Sequence, residues 1–166
     1  MRRIFHVFCS LVILCCFSAC DPSPFSFDYE ELVQTVESVE LIRYDNPEAK
    51  EYLNIKKSEL CPFDFEKMEI LQTLPEAAEE DFLYSFVIGT SAAVGGRVMD
   101  SPSGLCIRLV YENGSFEVFS ADREGDSKGY PYAGSFFENG KVNRFIGNIL
   151  GVSALIDEYF PEFRER

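Results

Sequence analysis

Asn113-Gly114 lies between two stretches in which apolar and polar residues alternate, and nothing else in the chain restricts its fold as much. A two-residue type I′ turn needs positive φ at both central positions, which Asn and Gly tolerate. That turn would set a register with Tyr111 facing Phe116, Val110 facing Glu117 and Leu109 facing Val118. Leu105, Ile107, Leu109, Tyr111, Phe116 and Val118 would then share one face, with Cys106, Arg108 and Glu117 on the other.

Other segments add helices and strands around this hairpin. Asp28 with Glu31 fits a helix cap, and Leu32, Val33 and Val36 give that helix a narrow apolar face. Val39 to Tyr44 reads as a strand that the turn residues Asp45-Asn46-Pro47 end, and Phe65 to Gln72 reads as another. Residues 48–64 follow neither period. Thr73-Leu-Pro-Glu76 forms a capping box, which predicts a helix over 74–87 that buries Phe82, Leu83 and Phe86. Val142, Phe145, Ile146 and Ile149 follow helical spacing; Gly151 and Ser153 then stop that helix and cap a new one carrying Leu155, Ile156, Tyr159 and Phe160. The expectation is an α+β domain: an antiparallel sheet of about four strands with helices packed on one face.

The N-terminus has a different character. Arg2 and Arg3 precede an apolar run, Ile4 to Phe17, that is too short to span a bilayer as a permanent helix. Ser18 and Ala19 are small and stand directly before Cys20; Cys9, Cys15 and Cys16 lack small residues in front of them. The segment Phe17-Ser-Ala-Cys20 resembles the lipobox of bacterial lipoproteins, with Phe17 where Leu is usual. The resemblance covers only about the first twenty residues. It implies a signal peptide over 1–19, a diacylglyceryl thioether on Cys20, and a mature protein anchored by its acyl chains to the outer face of the cell membrane. Residues 20–27 become the lipidated cysteine and a short Pro/Ser tether, and 28–166 a single domain.

Cleavage there changes the chemistry more than the length. It removes His6, the chain's one histidine. It also removes Arg2 and Arg3 from the 15 basic residues, against 28 acidic ones, so the net charge moves from −13 to about −15. That balance excludes nucleic acid as a partner, since phosphate backbones need basic patches. An envelope protein or a glycan is the expected partner, besides the membrane itself.

Without histidine, most hydrolytic and metal chemistry loses its usual base or ligand. Gly125-Asp-Ser127-Lys-Gly129 matches the G-x-S-x-G pattern but has no histidine to take the serine's proton, so it reads as a loop. Asp122, Glu124 and Asp126 alternate like the start of an EF-hand, yet Ser127 stands at the glycine position and Ala133 at that of the closing glutamate. No metal site or cofactor is expected. Cys61 and Cys106 are the two thiols left once Cys20 is lipidated, and outside the cytoplasm they either form a disulfide or stay unpaired. Glu79, Glu80 and Asp81 fall on the polar side of their helix. In the loop Gly129-Tyr-Pro-Tyr-Ala-Gly134, Tyr130 and Tyr132 are candidates for a binding surface that stacks on a sugar or a peptide, or else cover the core. The sequence thus favours a non-enzymatic binding or interaction module. The alternative is a carboxylate-dependent envelope enzyme acting on glycans, which requires a cleft with two facing carboxylates, one of them hard to ionise.

Overall fold

The computed structural model describes residues 26–53, 55–93, 97–121 and 131–164. At its centre are β6 (Gly104–Tyr111) and β7 (Phe116–Ser120), the two arms of the predicted hairpin. The loop between them is one residue longer than a type I′ turn. Gly114 N donates to Tyr111 O at 2.8 Å, Tyr111 N donates to Ser115 O at 2.9 Å, and Gly114 has φ of +77°. This is a type I turn closed by a left-handed glycine, the three-residue hairpin loop. Asn113 braces it by accepting from Ser115 N and Ser115 Oγ through Oδ1.

The extra loop residue moves the register by one. Val110 faces Phe116, Arg108 faces Val118, and Leu109 faces Glu117. Because side chains alternate with period two, every β7 residue changes face relative to the predicted pairing. Phe116 and Val118 join the Cys106 face, and Glu117 joins the face of Leu109 and Tyr111.

Besides these arms the main sheet contains β1 (Val36–Tyr44), β3 (Met68–Thr73), β8 (Ala133–Phe136) and β9 (Val142–Leu150). Among the described residues it has six antiparallel strands in the order β3-β1-β6-β7-β8-β9, more than the four expected. Short β4 (Ser91–Ala93) pairs with the far end of β9. β2 (Glu51–Leu53) and β5 (Arg97–Met99) make a separate two-stranded sheet.

β9 occupies the segment whose spacing predicted a helix. Pairing with β8 breaks register at two points, and Gly147 has φ of +129°. Such irregularities interrupt period-two burial, and the resulting 142, 145, 146, 149 spacing imitates a helix. The other helices follow the sequence with shifted starts. α1 (Tyr29–Thr35) is capped by Asp28, which accepts from Glu30 N and Glu31 N, while Val36 already belongs to β1. α2 (Glu76–Gly89) buries Phe82, Leu83 and Phe86. It starts after Pro75 with no side-chain cap, because Thr73 is paired with Glu40 as the last residue of β3. α3 (Val152–Tyr159) follows Gly151, so Ser153 lies within the helix rather than capping it. A Cβ on Gly151 would stand 2.2 Å from the Gly89 carbonyl, which makes glycine the residue that lets the end of α2 reach this turn.

The three helices cover one sheet face, as expected. Leu41, Ile107, Leu109, Phe119 and Ala133 pack there beneath Phe82, Phe86 and Ile156. The opposite face is buried too: Ile42, Tyr44, Cys106, Phe116 and Val118 pack against Val98 of β5 and against Leu60 and Phe63 from the segment that followed neither period. Among the described residues no helix is long and apolar enough to cross a membrane.

Candidate functional site

One transverse row of the sheet departs from the apolar character of its face. Leu41, Ile107, Phe119 and Ala133 form a row lying under the helices. The next row toward the hairpin tip runs Val39, Leu109, Glu117, Ser135 and Arg144 from β1 to β9. Its first two members are in the core; the last three are polar. They form the floor of a groove of about 620 Å³ between α1 and the β8–β9 side of the sheet. Asp28, Glu31, Leu32 and Thr35 form the α1 wall, and Tyr111, Glu112, Asn113 and Ser115 close the hairpin end.

Glu117 organises the floor. It is 5% exposed, and its two carboxylate oxygens have different donors. Tyr111 Oη donates to Oε2 at 2.8 Å, and Arg144 Nη2 donates to Oε1 at 3.2 Å. Burial nevertheless holds the Glu117 carboxyl above the ordinary carboxylate range, against the pull of both donors, and the charge of Glu31 pushes the same way. Burial raises the Tyr111 phenol as well, and the neighbouring carboxylate adds to the effect. Asn143 Nδ2 donates to Ser135 Oγ at 3.3 Å, which orients the hydroxyl in the middle of the floor. Arg144 is half-exposed and its guanidinium is paired with Glu117.

The residues singled out in the sequence lie elsewhere. Tyr132 is a core residue rather than a binding surface: it is 1% exposed, packed beside Phe136 and Phe145, and its hydroxyl has no hydrogen-bond partner among the described residues. Its ring lies over Gly134, where a Cβ would come within 2.2 Å of the phenol oxygen. Tyr130, the 125–129 motif, the 122–126 acidic run and Cys20 fall outside the described residues. Cys61 and Cys106 are not joined in a disulfide. Cys61 is exposed and donates to Asp100 Oδ2 at 3.5 Å; burial raises its thiol, with Asp100 adding to the shift. Cys106 is buried against Ser120 Oγ and the carbonyls of Ser103 and Gly104. On α2, Glu80 and Asp81 accept hydrogen bonds from Tyr29 and Tyr159, so they link helices rather than face a cleft. Among the described residues no group of three or more His, Cys, Asp or Glu is arranged to hold a metal ion.

Glu117 and Arg144 are the site residues that sequence reasoning missed. A three-residue reading of the Glu112-Asn113-Gly114 loop would have found Glu117, because it places that glutamate on the apolar face of Leu109; Arg144 was hidden in the segment whose spacing imitates a helix. Comparison with protein-family models, with curated proteins and with solved structures returns no match.

Proposed function

We propose that this chain is a lipid-anchored protein of the cell envelope that acts as a non-enzymatic binding module, with the groove over Glu117, Ser135 and Arg144 as its site. The observation that carries the reading is the uncovered polar end of a sheet face that is otherwise sealed by helices. The desolvation cost of burying a carboxylate offsets much of what its pairing gains, so the Glu117–Tyr111–Arg144 network contributes little to stability and suits recognition. The position of the groove fits the anchor. Ser26 and Phe27 line its mouth, six and seven residues beyond Cys20, a span of at most ~25 Å. A bound ligand would therefore be held close to the membrane surface.

The direct test is capture from envelope extract by the full-length protein in detergent, compared with Asn143→Trp, which fills the groove from an exposed position on β9. A ligand retained by the wild type and lost by Asn143→Trp supports the reading; equal capture by both overturns it. The enzyme alternative has one observation in its favour, the hard-to-ionise Glu117 with Glu31 across the same groove. It would show as release of reducing ends from envelope glycans, abolished by Glu117→Gln.

A further inference from the structure

A second concavity adjoins the groove at the hairpin tip. It has about 370 Å³ and is lined by Asn113 and Ser115, which also line the groove, together with Phe137, Glu138 and Asn139 from the β8–β9 turn. From these two adjoining concavities we infer that the site takes a linear, uncharged polyhydroxylated chain, a glycan strand, an inference that rests on the groove being the binding site.

Four features of the lining select that class. Its ionisable groups are mostly carboxylates (Asp28, Glu31, Glu112, Glu117 and Glu138), and the guanidinium of Arg144 is already joined to Glu117. Phosphates, uronates and other polyanions are therefore repelled. The neutral groups are hydroxyls and primary amides. Asn113 and Asn139 spend their Oδ1 atoms within their own turns, accepting from Ser115 N and Lys141 N, which leaves their amide donors for a ligand. A carboxylate oxygen beside an amide donor matches a sugar hydroxyl, which both donates and accepts. Phe137 is 49% exposed in this lining, an apolar ring beside polar groups, as stacking on the C–H face of a pyranose requires. Finally, β6, β7 and β8, which carry Glu117 and Ser135, are paired with neighbours on both sides, so the middle of the floor offers no free edge for strand addition by an extended peptide.

The experiment titrates the full-length protein in detergent micelles with three tetrasaccharides: N-acetylglucosamine (neutral), glucosamine (cationic) and galacturonate (anionic). The chain has 8 Tyr and no Trp, so tyrosine emission and calorimetry report binding without indole background. The expected result is saturable binding of the neutral chain, weaker binding of the anionic chain, and a roughly tenfold rise in Kd for Phe137→Ala and for Glu31→Ala, both changes at exposed positions. Absence of saturable neutral binding, or loss of none of it in the two variants, overturns the glycan inference. Tighter binding of the cationic chain than of the neutral one overturns it as well, since charge rather than hydroxyl recognition would then dominate. The groove itself would survive any of these results if Asn143→Trp still abolished capture from envelope extract.

Discussion

Glu117 is the residue at which burial, charge and function meet. Its carboxyl is harder to ionise in the folded chain than in the unfolded one, because burial outweighs the hydrogen bonds from Tyr111 and Arg144. A group with a raised folded value favours folding while protonated; that contribution is full below the unfolded value, about 4.3, and is lost as pH rises through the folded value. Glu117→Gln keeps the shape and an acceptor for Tyr111 but removes the titration. The stability of the wild type relative to Glu117→Gln is therefore expected to fall as pH climbs from about 4 toward neutrality. Chemical denaturation at a series of pH values measures it, and a flat difference would mean that Glu117 is not perturbed. Another single residue fixes the second core. Gly140 has φ of +77°, and a Cβ there would meet the Phe63 carbonyl at 2.5 Å, the same residue whose amide donates to Gly140 O at 2.8 Å. Gly140→Ala should cost more than about 1 kcal/mol in urea denaturation, because alanine resists this backbone conformation and the carbonyl cannot yield without losing that bond.

At the scale of elements, the hairpin decides how much of the molecule a reader of the sequence can recover. The strands were legible: alternation and the Asn-Gly turn located both arms, and the Phe82, Leu83, Phe86 spacing located α2 and its buried face. The register was not, because a two-residue and a three-residue loop use the same Asn-Gly pair and differ only in whether Glu112 belongs to the strand or to the turn. β7 could not arbitrate, since all five of its residues are buried and both of its faces are covered. A one-sided strand would have betrayed the slip by exposing an apolar row. The extra strands were hidden for other reasons: β9 loses its period at its bulges, and β8 is only four residues long. Deleting Ser115 tests the register argument. The same three-residue loop would then set Phe116 opposite Tyr111, move Glu117 to the Cys106 face, and drive apolar residues of β7 under a layer shaped for others. Such a chain is expected to lose its cooperative unfolding transition, whereas Gly114→Ala, which strains the loop without shifting it, should cost only about 1–2 kcal/mol.

On the scale of the whole molecule, a strongly negative charge opposes adsorption to an anionic leaflet, and no described helix is long and apolar enough to cross a membrane. In the lipid-anchored reading proposed above, membrane residence would rest on Cys20 and its acyl chains, each buried methylene contributing about 0.8 kcal/mol and two or more chains being needed for a stable anchor. With so few residues between Cys20 and the mouth of the groove, such an anchor would confine the site to ligands at the membrane surface. In that reading Cys20→Ser removes the thiol that would carry the lipid, which makes it the test of the anchor. In fractionated cells the variant is expected either to leave the membrane fraction or to accumulate unprocessed, heavier by the residues 1–19 that the wild type loses. Mass spectrometry separates these outcomes, and it should find the wild type beginning at an acylated Cys20. A variant with the same membrane association and the same mass as the wild type would remove the anchor, and the ligand at the groove would then have to be sought away from the membrane.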